Sequence, residues 1–178
     1  MRIIAGNLGG RNFESPHGHR THPMSEKIRG AIFNALGDIT GLCVLDVFSG
    51  SGALCFEALS RGAAYAEAID ADKSAAAIII KNATILNLQD KIKVTCIYAD
   101  SWSTRHKQEM FDIVFLDPPY THVEPETAEK LALHTKPGGI AIFSLPPKMR
   151  IVLSEKQFTL LRAKDYNDAT LAFYRRII

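Results

Sequence analysis

From Cys43 onward, short apolar runs alternate with helix-patterned stretches, and four successive runs end in or beside an aspartate. Few folds accept that rhythm. Strands separated by helices need crossover connections, which predicts a parallel, doubly wound α/β sheet. Val44 to Phe48 reads as a buried strand, and Gly50-Ser51-Gly52 turns into a helix from about Ala53 to Arg61, stopped by Gly62. Tyr65 to Ile69 is a second strand, Ser74 to Asn87 a helix, Lys93 to Tyr98 a third strand and Asp112 to Leu116 a fourth. Ser101 to Met110 is read as a long irregular connection. Glu124 to His134 is helical, and Gly139 to Ser144 is a fifth strand after the Pro137-Gly138-Gly139 turn. Phe158–Ala163 and Ala169–Arg176 flank a polar turn and form an antiparallel pair. The expectation is a mostly parallel, seven-stranded α/β sheet with an antiparallel C-terminal strand.

The first 23 residues stand apart from this pattern. Residues 2–5 and 11–14 flank a Gly/Asn-rich turn, Gly6 to Gly10, and read as a β-hairpin. Residues 15–23 read as a loop, and Ser25 caps a helix through about Leu36, closed by Gly37. Division into an N-terminal arm, 1–23, and a main domain, 24–178, is expected. Residues 1–30 carry five cations (Arg2, Arg11, Arg20, Lys27, Arg29) against Glu14 and Glu26, a net +3 where the whole chain has +2. Such an arm suits phosphate. Solvated surface charge explains the same residues equally well.

Composition adds bounds. With 47% hydrophobic and 22% charged residues in 178, one globular domain is expected. No apolar stretch reaches membrane-span length, and the N-terminus lacks a signal-peptide core. Cys43, Cys55 and Cys96 lie in apolar runs and read as buried reduced thiols, with neither disulfide nor metal spacing. A cytoplasmic chain without a metal is the expectation.

Residues 117–120, Asp-Pro-Pro-Tyr, end the fourth strand. Proline gives no backbone donor and fixes φ, so the strand stops there and leaves proline carbonyls without ladder partners. Asp117, Pro118, Pro119 and Tyr120 thus make an acceptor-rich ledge with an aromatic ring, suited to a planar group bearing an amine. The amine of a nucleobase is a weak nucleophile because its lone pair is delocalised. Asp117 and the Pro118 carbonyl can each accept one amine N–H and stabilise the charge that develops on nitrogen. Tyr120 can stack on the base, a contact of about 1–3 kcal/mol. His122 is placed to take the shed proton, although a surface histidine is the plainer reading.

In open α/β sheets the ligand sits outside the carboxyl ends of the strands. Asp46, Asp70, Asp100 and Asp117 converge there, a rim suited to a ligand rich in hydroxyls and amines that carries positive charge. Gly50-Ser51-Gly52 permits close backbone approach, but the third glycine of a dinucleotide fingerprint is missing. Asp70 follows Gly52 by 18 residues, a suitable interval for a ribose-binding acid. Taken singly, Asp46 and Asp100 could each be an ordinary cap.

Leu45 to Gly52 resembles the first motif of S-adenosylmethionine-dependent methyltransferases, and Asp-Pro-Pro-Tyr resembles their amino-methylating motif. The chain as a whole resembles the bacterial family that methylates the N2 amine of one guanine in small-subunit (16S) ribosomal RNA. Arg2 to Gly6, Arg29 with Phe33 to Leu36, and Gly52 to Leu54 with Glu57 to Ala63 support the likeness, which covers about residues 2–145 well and the tail more loosely. The resemblance implies a Rossmann-like methyltransferase fold with S-adenosylmethionine as cofactor and S-adenosylhomocysteine as product. It implies that Asp46, Phe48 and the Gly50–Gly52 loop hold the methionine end, Asp70 the ribose, Ala71 the adenine flank and Asp100 the adenine amine. It implies that Asp117 to Tyr120 hold the target amine. Where the family commonly carries Arg-Pro-Thr-Thr/Ser-Asp, this chain has Arg20 to Glu26 reading Arg-Thr-His-Pro-Met-Ser-Glu.

The implied partner is ribosomal RNA, a small subunit or an assembly intermediate, met by a monomer with its target base unstacked or flipped. Arg2, Arg11, Arg20, Lys27 and Arg29 would supply phosphate contacts. A DNA adenine-N6 methyltransferase shares the ledge but normally needs a separate recognition domain. A non-catalytic RNA-binding or assembly protein would let the carboxylate set erode, yet all four acids are present. A nicotinamide-dependent dehydrogenase lacks its third glycine here.

Overall fold

The computed structural model describes residues 1–16, 24–118 and 125–178. Ser25 begins α1 (Glu26–Leu36), its hydroxyl accepting the Ile28 N–H at 3.3 Å, and Gly37 closes it at φ 74°. The face made by Ile28, Ile32 and Phe33 is buried, and each such side chain contributes about 1.5–3 kcal/mol. The elements then follow as β1 (Cys43–Asp46), α2 (Ala53–Ser60), β2 (Tyr65–Asp70), α3 (Lys73–Ile85), β3 (Ile92–Cys96), α4 (Ala99–Arg105), β4 (Phe111–Leu116), α5 (Pro125–Ala132), β5 (Thr135–Leu145), β6 (Phe158–Asp165) and β7 (Thr170–Arg176).

They form one seven-stranded sheet in the order β3-β2-β1-β4-β5-β7-β6. β1 to β5 pair in parallel, and β7 runs antiparallel to both β5 and β6. The expected mostly parallel sheet with an antiparallel C-terminal strand is therefore the fold observed. One core cluster, with Phe33, Phe56 and Phe115, lies on the side of α1 to α3. The other, with Trp102, Phe143 and Tyr174, lies on the side of α4 and α5. The strand order reverses between β1 and β4, so the crevice of a doubly wound sheet opens between Asp46 and Asp117.

The N-terminal arm pairs with itself through an Arg2–Asn12 bridge and packs Ile3 and Phe13 into the first cluster. It covers α2, whose eight residues are all buried. A helix closed in on all sides must satisfy its polar residues internally. Glu57 accepts the backbone N–H groups of Ile4 (2.8 Å) and Ala5 (3.1 Å), and Ser60 Oγ accepts that of Leu8 (2.9 Å). Gly6 lies so close to α2 that a Cβ there would fall 1.9 Å from the Ser60 carbonyl oxygen.

Three expectations need correction. Ser101 to Met110 is not simply an irregular connection, because α4 occupies its first half. Trp102 is fully buried and donates its indole N–H to Glu67 at 3.0 Å. One large aromatic anchors a short polar helix that shows no apolar periodicity. The Pro137-Gly138-Gly139 segment lies inside β5, as a bulge where the β4–β5 pairing shifts from Phe111↔Thr135 to Ile113↔Ile140. Of the cysteines only Cys55 is buried, while Cys43 is half-buried and Cys96 exposed.

Candidate active site

The loop after β1 continues to bond both neighbouring strands. The Val47 N–H donates to the Phe115 carbonyl (3.1 Å), and the Ser49 N–H donates to that of Ile69 (3.0 Å). The Ser49 hydroxyl reaches the Asp46 carbonyl at 2.7 Å. Gly50 donates its N–H to Asp70 Oδ2 at 2.8 Å, so the acid ending β2 also fixes the glycine loop. Gly52 caps α2 in left-handed backbone (φ 77°), and a Cβ there would meet Phe56 at 2.9 Å. Gly50 is different: nothing lies within 4 Å of where its Cβ would be, so the loop presents open space on that side.

Asp46 is buried, 1% exposed, and its Oδ1 has no hydrogen-bond partner among the described residues. Its Oδ2 meets the Cys55 thiol at 3.9 Å. Burial, with Asp117 and Asp70 nearby, pushes its carboxyl well above the ordinary range, against the pull of the Phe48 N–H and Cys55. Burial likewise raises Asp117 to about 6, with a hydrogen bond from Ser144 pulling the other way. A carboxylate left incomplete in a desolvated pocket is an expensive arrangement, and a ligand cation would complete it. The donor set fits a cationic, hydroxyl-bearing cofactor: Asp46 for an ammonium, Asp70 for hydroxyls, and Gly50 for close approach.

Register places Phe115 beside Asp46 and Phe143 beside Leu116, so Asp117 follows directly on the β1 and β5 ends and Pro118 is buried after it. Asp46, Gly50, Gly52, Asp70 and Asp117 are thus gathered at one rim, with Phe48 half-buried behind it. Ala71 is exposed beside it and accepts the Cys96 thiol through its carbonyl at 3.8 Å. Asp100 opens α4, is exposed, and is bonded by Lys130. Pro119, Tyr120, His122 and Arg20 lie outside the described residues. Ser144 was not singled out from sequence; its signal is a polar residue at the end of the strand flanking Asp117.

The basic arm is corrected at Arg29. That residue is 0% exposed, with Nε 3.7 Å from Glu57 and an Nη donating to the Arg2 carbonyl at 2.6 Å, so it has no surface to offer phosphate. Arg2 is exposed but paired with Glu26 at 2.8 Å. Arg11 is exposed and donates to the Ile85 carbonyl at 3.2 Å. Lys27 is exposed.

A family model described as conserved hypothetical protein 95 matches residues 1–175. The chain belongs to this family. Ribosomal RNA small subunit methyltransferase D of Buchnera aphidicola is 33% identical to this member over 175 residues, covering 97% of this chain and 91% of the relative. The solved structure of yhhF from Escherichia coli superposes on the conserved hypothetical protein 95 fold with a TM-score of 0.88 at 30% identity, over 99% of this chain and 98% of that one. SMU.776, solved in complex with SAH, shares the fold at a TM-score of 0.69 and 16% identity, over 85% of this chain and 48% of that chain. The sheet of this family member is thus a Rossmann-like methyltransferase sheet.

Proposed function

We propose that the protein transfers a methyl group from S-adenosylmethionine to the exocyclic N2 amine of a guanine in small-subunit ribosomal RNA. The carrying observation is the juxtaposition across the crevice of an incomplete buried carboxylate, Asp46, and the desolvated carboxyl of Asp117. The Buchnera relative, a ribosomal RNA small subunit methyltransferase, supports ribosomal RNA as the polymer, and the ligand of SMU.776 is the demethylated form of the cofactor. The cofactor supplies an electrophilic methyl group on a sulfonium. Asp46 and the Gly50–Gly52 loop hold its amino-acid end, and Asp70 its ribose. Asp117 Oδ and the Pro118 carbonyl accept the two amine N–H bonds, which orients the nitrogen and stabilises its growing positive charge. Asp117, ionised above about pH 6, can also take the proton shed by the product. Tyr120 is assigned the stacking role on sequence grounds.

The test is to incubate the protein with methyl-labelled cofactor and unmodified small subunits or their RNA, then map the labelled nucleoside. N2-methylguanine is expected. Label on the N6 amine of adenine, or none on RNA, overturns the proposal.

A further inference from the structure

The two sides of the rim about Asp117 differ in the charge they present. On the side of β1, β2 and β3 the rim carries Asp46, Asp70, Asp72 and Asp100, the last paired with Lys130. The other side is built by β5, β7 and β6; there Asp165 at the β6–β7 turn is matched by Arg150, and Asp168 accepts from Ser25 at 3.0 Å. Leu145 at the carboxyl end of β5 lies opposite Thr170 at the start of β7, so the β6–β7 turn sits at the same end of the sheet as Asp117. Beyond Leu145 the chain turns through Pro146, Pro147 and Lys148, with the Met149 N–H closing on the Pro146 carbonyl at 3.0 Å.

Lys148 adopts left-handed backbone, φ 66°. A non-glycine residue is held there only when its surroundings over-determine it, and such strain concentrates at functional positions. Here its N–H donates to Thr170 Oγ1 at 2.9 Å, and that hydroxyl donates to Asp165 at 2.7 Å. Arg150 grips both oxygens of Asp165 at 2.9 and 2.8 Å, bracing the turn against the end of β6. Lys148 and Lys164 are exposed on this braced ledge, Lys164 with its ammonium 5.1 Å from the Tyr166 ring centroid.

We infer that this ledge, residues 146–150 with the β6–β7 turn, holds the sugar–phosphate backbone of the RNA strand beside the target base, Lys148 and Lys164 making the phosphate contacts. The inference rests on the methyl-transfer reading above. A base whose amine meets Asp117 must let its backbone leave on one side. The β1–β3 side is acidic and repels phosphate, whereas the β5 side leads onto the exposed Lys148 and Lys164. The ledge also takes over the task that buried Arg29 and paired Arg2 leave undone.

The test is the salt dependence of binding to an unmodified small-subunit RNA transcript, over roughly 50–200 mM salt. The Lys148→Ala/Lys164→Ala variant is expected to bind about tenfold more weakly at low salt, with the log–log slope reduced by about 1.4, or about 0.7 per contact on single strands. KM for RNA rises and cofactor affinity stays at the wild-type value. Lys148→Gly relieves the left-handed backbone, so it should melt at or above wild type while losing about 0.7 of slope. Lys91→Ala, an exposed cation before β3 at the opposite rim, should match wild type. Wild-type affinity and slope in the double variant overturn the ledge alone. Failure of the wild-type protein to bind the RNA overturns the ledge together with the parent reading.

Discussion

Asp46 and Glu57 are both buried carboxylates on consecutive elements, and their surroundings are opposite. Glu57 is 0% exposed and its oxygens accept from Ile4, Ala5 and Arg61, with Arg29 at 3.7 Å. Asp46 is as deeply buried, but one oxygen has no partner among the described residues and the other meets a thiol. The first carboxylate pins the N-terminal arm to α2. The second is desolvated and left incomplete at the crevice. The difference teaches how to tell a buried acid whose capacity the fold consumes from one with capacity to spare, as the proposed cofactor site requires.

The comparison is open to breakage, most forcefully at Glu57. Glu57→Ala strands Arg29 as an uncompensated buried charge and frees the Ile4 and Ala5 amides. It should cost about 3–5 kcal/mol of stability by urea unfolding. An unchanged midpoint would remove Glu57 from its architectural role.

Asp117→Asn should cut turnover by about 10²–10³-fold, the scale seen when one transition-state hydrogen-bonding group is lost, with cofactor binding retained. Its ionisation gives a second handle. Because the folded value of about 6 lies above the ordinary carboxylate range, kcat/KM should fall as pH drops through about 6. Its contribution to stability should move the other way: the folded state binds the extra proton, so the stability that Asp117 contributes is lost as pH rises from the ordinary carboxylate range through about 6. Asp117→Asn should lose the rate dependence and differ from wild type in its stability profile by that one contribution. A flat wild-type profile between pH 5 and 7, in roughly the window of the shift, would count against the assigned role.

Asp46→Asn should weaken cofactor binding by about 10–100-fold, the value of a hydrogen bond to a charged group, measured calorimetrically. Its melting temperature should equal or exceed that of wild type, because a buried carboxyl with unused acceptor capacity is replaced by a neutral amide of the same shape. A loss of stability as large as that of Glu57→Ala would erase the distinction. The smallest effect is expected at Arg61→Ala, about 1 kcal/mol, since Glu57 keeps its two backbone donors and Arg29.

Much of the rim was legible because strand ends are local. Asp46, Asp70 and Asp117 each follow an apolar run, and a doubly wound sheet must bring such ends together. Gly52 was legible too, since a strand-to-helix turn that tight demands a positive φ. What could not be read were the partners of charge. Nothing local separates Arg29, fully buried, from Lys27, exposed two residues earlier. Likewise α4 depends on Trp102 meeting Glu67 on β2, and no periodicity within Ser101–Met110 announces it.

By itself, then, the chain's own pattern determined the layered parallel sheet and the acids gathered at one end of it, because periodicity and turn residues act over a few positions. The tertiary structure alone decided which charges are spent. Arg29 and Glu57 meet across α1 and α2, Asp117 acquires Ser144 from β5, and Lys148 is locked to Thr170 across the β5–β7 pairing. Desolvation and long-range pairing set the use of a charge, and both arise only when distant segments pack.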